Sequence, residues 1–206
     1  MKSVFIYGIT GDIGSRVARL LMENGYTVSG VVRKDKDVVR LQNAGMDVIR
    51  GDIASCSSEE QSNWLRKMDI VLFTAGAHSE DETEIRKTDY EGVIKSALAA
   101  INAGIKSYVL VSAFPEAGRS RDTMPEFETY MFYKKMADAW LVKSEVPWTI
   151  IRPGRLIDTP ASGKVAAAPA LPYGDISRAD FAHFIADVIA AGKYMNSIIE
   201  VTGDAK

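Results

Sequence analysis

Three glycines placed between a strand and a helix constrain this chain more than any other feature. Residues 2–24 read KSVFIYGITGDIGSRVARLLMEN, with an apolar run at Val4–Tyr7 and then Gly8, Gly11 and Gly14. Val17, Leu20 and Leu21 follow Ile13 at intervals of four, seven and eight. The pattern is strand, tight turn, amphipathic helix. The glycines have separate tasks. One makes the turn, one lets backbone N–H groups approach a pyrophosphate, and one lets the helix pack close to the strand. The phosphate would sit on the helix N-terminus, where unpaired N–H groups and the macrodipole favour negative charge. A glycine-rich turn that binds nothing is the bland alternative, and the strand before and helix after argue against it.

Strand-like and helical segments alternate along the rest of the chain. Thr27–Val32 is the expected second strand, and it ends in Arg33-Lys34. That end lies where dinucleotide-binding folds read the adenosine ribose. An acid there would accept from the 2′-hydroxyl of NAD, whereas these cations suit the 2′-phosphate of NADP, although Asp35 and Asp37 follow. NADP(H) is therefore expected over NAD(H). Further strands are expected at Val48–Ile49, Ile70–Phe73, Tyr108–Val111, Trp148–Ile151 and Ile198–Val201, the last closing the sheet. Helices are expected over Asp37–Ala44, after capping boxes at Ser57–Glu60 and Ser79–Glu82, over Thr129–Ser144, and after Ser177. The helix over Thr129–Ser144 would show Tyr133, Met136, Ala137, Trp140 and Leu141 on one face, and the last helix a stripe of Phe181, Phe184, Ile185, Val188 and Ile189. Residues 115–128 read as a loop over the site and 155–175 as irregular. The alternation predicts one α/β domain of Rossmann type, with a doubly wound, mainly parallel sheet and helices on both faces. Ligands in such folds bind beyond the C-terminal strand ends. Gly8–Gly14, Arg33, Asp52, Thr74–Gly76, Ser112 and Pro153 all fall there.

Composition excludes other classes. The net charge of −2 argues against nucleic acid or an anionic membrane as partner. Lone Cys56, with His78 and His183, leaves no cysteine- or histidine-built metal site, and His78 reads as a loop residue. No apolar run approaches the ~20 residues of a membrane span. The N-terminus enters a strand at once, which leaves no room for a signal peptide. A cytoplasmic monomer or homodimer acting on a small molecule is the expectation.

One constellation carries chemistry. Tyr130 and Lys134 lie four apart on one helix face, and Ser112 ends the preceding strand. A hydroxyl to hold a carbonyl, a phenol to move a proton and a nearby ammonium suit hydride transfer. Lys134, together with an oxidised nicotinamide ring, would lower the Tyr130 pKa from about 10 toward working pH. Tyr133 and Lys135 lie alongside, and Tyr133 reads as packing.

With these residues in place, the chain resembles the atypical short-chain dehydrogenase/reductases, in particular the NAD(P)H-binding group that includes NmrA-like proteins and flavin (biliverdin B) reductases. The carrying stretches are GITGDIG at 8–14, VVRK at 31–34, GD at 51–52, TAGA at 74–77, residues 89–114, YMFYKKMAD at 130–138, SEVPWTIIRPGRLID at 144–158 and ISRADFA at 176–182. The resemblance implies diphosphate contacts from Gly8, Thr10, Gly11, Asp12 and Ile13. It puts Arg33 and Lys34 at the 2′-phosphate, Asp52 and Ile53 near the adenine, and Thr74, Ala75 and Gly76 on the ribose side. Ser112, Lys134, Pro153, Gly154, Arg155 and Leu156 would surround the nicotinamide. The flavin reductases carry a histidine where this chain has Arg155. A small substrate-side region is expected at about 113–128 and 155–176, walled by Phe114, Met124 and Phe127. The leading expectation is an NADPH-dependent reductase of a small apolar carbonyl, quinone or flavin-like compound, with Ser112, Tyr130 and Lys134 catalytic. The alternatives are an NADP(H)-sensing binding protein without catalysis and an NAD(P)-dependent epimerase/dehydratase.

Overall fold

The computed structural model describes residues 2–77, 79–117 and 125–203; His78 and Met124 lie outside them. The chain runs β1 (Ser3–Tyr7), α1 (Asp12–Glu23), β2 (Thr27–Val32), α2 (Asp35–Asn43), β3 (Asp47–Arg50), α3 (Ser58–Leu65) and β4 (Ile70–Phe73). Then come α4 (Glu82–Ile85), a π-helical turn (Arg86–Glu91), α5 (Gly92–Ala103), β5 (Ser107–Val111), α6 (Pro125–Val142) and β6 (Trp148–Pro153). The last part is β7 (Arg155–Ile157), β8 (Val165–Ala168), β9 (Asp175–Ser177), α7 (Arg178–Ala191) and β10 (Ser197–Gly203).

The main sheet has the order β3-β2-β1-β4-β5-β6-β10-β8, parallel except for β8, which pairs antiparallel with β10. The order reverses between β1 and β4, so the C-terminal ends of those two strands flank the switch-point crevice. Because helices cover both faces, the central strands read as unbroken apolar runs. Val4, Ile6, Ile70 and Leu72 point into the core beneath α1, α2 and α7. Phe5, Tyr7, Val71 and Phe73 point into the core beneath α3, α5 and α6. The α7 stripe buries Phe181, Ile185, Val188 and Ile189, at about 1.5–3 kcal/mol per side chain. Among the described residues no helix is long and apolar enough to cross a membrane.

Local signals set many boundaries. Ser57 and Glu60 form the expected reciprocal capping box of α3. Gly104 ends α5 in the left-handed conformation, φ 71. Five expectations need correction. Ser79 does not cap α4: Asp81 does, accepting from the Thr83 N–H at 2.7 Å, while Ser79 Oγ accepts from the Asp81 N–H. Among the described residues α6 starts at Pro125, not Thr129; a proline is tolerated in a helix's first turn, where its missing N–H has no helical partner. Its inward side is Met131, Lys134, Ala137 and Leu141, whereas Met136 faces out and Tyr133 donates to Glu82 Oε1 at 2.9 Å. Residues 155–175 are not irregular: β7 pairs with β9, and β8 rather than β10 closes the sheet. The runs β7, β8 and β9 are too short to carry a readable period.

Candidate functional site

The glycine turn is held shut by backbone. Gly8 has φ +84, and a Cβ there would stand 2.6 Å from the Ala75 nitrogen. A Cβ on Gly14 would fall on the Gly8 carbonyl oxygen. So β1, the start of α1 and the end of β4 meet without side chains between them. Thr74 Oγ1 donates to the Tyr7 carbonyl at 3.0 Å, which ties the end of β4 to the turn. Gly11 precedes α1 with no side-chain cap, leaving the first N–H groups of that helix open to an anion.

From that turn opens a cavity of ≈ 580 Å³. It begins at Gly11, Asp12 and Ile13, passes Thr74–Ala77 and Ser112, and reaches Tyr130 and Lys134. Pro153–Leu156 and Arg178 form the opposite wall. Its far end is aromatic: Phe114 meets Tyr173 edge to face at 5.3 Å, and Phe127 lies 6.1 Å from Tyr130. Glu126 also lines it, with Oε2 buried and unpartnered.

Buried charge underlies the cavity. Lys134 Nζ stands 3.1 Å from Asp89 Oδ1, donates to the Val111 carbonyl at 3.3 Å, and lies 5.6 Å from the centre of the Tyr130 ring. Asp89 is fully buried on the π-helical turn, and its Oδ2 accepts from the Ala77 N–H at 2.9 Å. Burial disfavours the Lys134 ammonium, but Tyr130, Asp89 and Asp138 outweigh it and hold its pKa above the ordinary lysine value. One step away, Arg152 clamps Asp138 Oδ2 through Nε at 2.9 Å and Nη2 at 2.8 Å. Burial raises the Asp138 pKa, against the lowering by Ser112 and Arg152. Ser112 Oγ lies near enough to favour that carboxylate, yet it is buried without a well-formed hydrogen bond.

Lys134 by itself does not bring down the pKa of Tyr130. That pKa is raised, because burial of the phenol outweighs the nearby Lys134 charge, and Asp89 and Asp138 add to the rise. The phenol therefore holds its proton at neutral pH and is set up to give one.

The expected residues divide into two groups. Gly11, Asp12, Ile13, Thr74, Ala75, Gly76, Ser112, Tyr130, Lys134, Pro153, Gly154, Arg155, Leu156, Phe114 and Phe127 share the one cavity. Gly8, Thr10, Arg33, Lys34, Asp52 and Ile53 do not line it, although Gly8 backs directly onto Ala75, which does. Arg33 and Lys34 are exposed and follow β2. The two acids after them are engaged elsewhere, Asp35 with Arg50 at 2.7 Å and Asp37 with Arg40 at 3.1 Å. Asp52 turns back on its own backbone, accepting from the Ala54 N–H at 3.0 Å, and Ile53 packs against the core under α5. Arg155 forks onto Asp175 through Nε at 2.8 Å and Nη2 at 2.6 Å. Sequence reasoning missed Asp89, Tyr173, Glu126 and Arg178. Asp89 had a signal: it stands four residues before buried Val93 and eight before buried Ala97, on the apolar side.

Comparison with known proteins shows the family and the fold. A family model described as NAD(P)H-binding matches residues 8–191. A Bacillus subtilis (strain 168) protein named "Uncharacterized sugar epimerase YhfK" is 36% identical over 183 residues, 87% of this chain and 84% of that protein. The solved "Putative NAD-dependent epimerase/dehydratase from Bacillus halodurans" superposes with a TM-score of 0.87 at 25% identity, over 100% of this chain and 96% of that one. A structure described as an anaerobilin reductase, ChuY from Escherichia coli O157:H7, has a TM-score of 0.82 at 23% identity, over 100% and 99% of the two chains. At that identity the likeness is one of fold alone.

Proposed function

The chain belongs to the NAD(P)H-binding family, and from that premise we propose that it is an NADPH-dependent oxidoreductase reducing a small, flat, apolar carbonyl, quinone or flavin-like acceptor. One observation carries the reading: Ser112, Tyr130 and Lys134 share a cavity that begins at the glycine turn and ends among Phe114, Phe127 and Tyr173. The residues fit a nicotinamide dinucleotide. Backbone lies bare at Gly8 and Gly14 where a Cβ would collide, and the Ser112 hydroxyl is buried without a partner at the other end.

The N–H groups of Gly11, Asp12 and Ile13 would hold the diphosphate. Arg33 and Lys34 would take the 2′-phosphate, a preference supported by the engagement of Asp35 and Asp37 with other arginines. Asp52 and Ile53 would lie toward the adenine, and Thr74–Gly76 and Lys134 along the riboses. Pro153–Leu156 would shape the nicotinamide end. When bound, the reduced cofactor supplies a hydride. Ser112 Oγ orients the acceptor oxygen. Tyr130 Oη gives that oxygen its proton, and the raised pKa keeps the proton in place until it is needed. Lys134 remains a cation and stabilises the phenolate left behind. We place the substrate side at about 113–128 and 155–176, of which 118–124 lie outside the described residues, and the reaction in the cytoplasm.

The test is NADPH consumption against a panel of quinones, flavins and conjugated ketones. Tyr130→Phe should lower kcat by about 10²–10⁴ while NADPH affinity stays as in the parent. Unchanged turnover removes Tyr130 from the mechanism. Tight NADPH binding with no acceptor reduced favours the sensing protein instead. The names of the relatives favour a second reading, an epimerase or dehydratase, which would exchange a substrate carbon-bound hydrogen or lose water with no net NADPH consumed.

A further inference from the structure

We propose that Arg178 is a cofactor-binding residue that exchanges an ion pair with Asp12 for the diphosphate. This rests on the nicotinamide-dinucleotide reading above. Arg178 is the first residue of α7, on the side of the cavity facing the glycine turn. Its side chain is three-quarters buried, at 24% exposure, and its guanidinium reaches three carbonyl or carboxylate oxygens. Nη1 donates to the Leu156 carbonyl at 3.1 Å and lies 3.1 Å from Asp158 Oδ2. Nε faces Asp12 Oδ2 at 3.6 Å. Nη2 makes no hydrogen bond among the described residues.

These contacts are unequal. Leu156 and Asp158 fix the guanidinium to the segment that leads out of β7. The Asp12 contact is long, and its carboxylate is 79% exposed, so it contributes little. Asp12 is also the first residue of α1, beside the N–H groups where an anion would bind, so its charge competes for that end of the helix. A diphosphate carries more charge than one carboxylate and matches the planar fork of an arginine. Arg178 then has Nε and Nη2 to offer it without surrendering Leu156. The exchange links the glycine turn to the 155–178 segment, so that cofactor binding draws the two walls of the cavity together.

The test is binding of NADPH and NADH to the full chain, read by nicotinamide fluorescence, with the melting temperature of each variant measured without cofactor. Both cofactors carry the diphosphate. Arg178→Gln should therefore weaken both by the same factor, about tenfold or more. A change at Arg33 would instead discriminate between them. Arg178→Lys keeps a charge near Leu156 and Asp158 and should recover part of the affinity. Asp12→Asn should tighten both cofactors, since it removes the competing carboxylate. Unchanged affinities in Arg178→Gln, whether or not the melting temperature falls, overturn the proposal and leave Arg178 a strut for Leu156 and Asp158. Weaker binding in Asp12→Asn overturns the exchange. A parent protein that binds neither cofactor refutes the cofactor reading itself, an outcome separate from both.

Discussion

Asp89→Asn tests the electrostatic floor of the cavity. Asp89 has no exposure, Lys134 has 5% at its side chain, and their charged atoms are 3.1 Å apart. Asparagine keeps an oxygen for the Ala77 N–H and removes only the charge, so the ammonium is left buried with Asp138 as its remaining anionic neighbour. Removing one partner of a buried pair costs about 3–5 kcal/mol. For a domain of this length that lowers the melting temperature by about 6–20 °C. The pH dependence gives a second reading. In the parent, Lys134 titrates above the unfolded lysine value, so its stabilisation is complete at neutral pH and fades only as pH rises through the folded value. In the variant, burial dominates and the folded value drops below the unfolded one. The unfolded chain then binds more protons between the two values, and stability should climb from neutral pH toward about 10. Urea unfolding followed by circular dichroism at pH 7, 8.5 and 9.5 measures this. Asp89→Leu combined with Lys134→Met, which removes both charges, should recover most of the loss. A loss under about 1 kcal/mol, with a pH profile parallel to the parent, would refute the reasoning.

Three further outcomes follow from the geometry. Gly14→Ala puts a methyl group on the Gly8 carbonyl and should abolish measurable NADPH binding by fluorescence titration, with a lower melting temperature. Arg33→Ser should weaken NADPH by about tenfold and leave NADH unaffected in the same titration, since a charge-assisted bond to the 2′-phosphate is lost. Asp69 is held at about 2 by Lys106, with the Ser3 N–H and hydroxyl assisting. Its stabilisation is present above the unfolded aspartate value and lost as pH falls from about 4 toward 2, so Asp69→Asn should flatten that part of an acid denaturation curve.

Much of this was legible in the chain, for identifiable reasons. The strands β1, β4 and β5 are buried on both faces and read as apolar runs, and the glycines at 8, 11 and 14 announce close backbone approach. Residues at strand ends could be placed because alternation alone says which edge they share. Ser112, Tyr130 and Lys134 followed from that edge and from helical spacing. The Tyr130 pKa did not, because a sequence shows the neighbouring lysine but not the burial that outweighs it. Asp89 was obscured by Glu80, Asp81, Glu82 and Glu84, which look like more of the same charge. Arg178 reads as part of a helix start, and Tyr173 sits in a stretch of small residues with no period. Their importance arises from chain crossings far apart in sequence, such as Gly154 against Gly174.

The π-helical turn at Arg86–Glu91 has a consequence for how this chain can vary in length. A π turn is wider than an α turn and accommodates an added residue. Deleting one residue between 86 and 91 would let α4 and α5 join as one regular helix, and by local energetics alone the shorter chain would gain. The deletion would, however, reshape the turn on which Asp89 stands. Asp89 would then swing away from Lys134 and Ala77. Length changes in loops leave the site in place, whereas one within this turn moves a buried carboxylate.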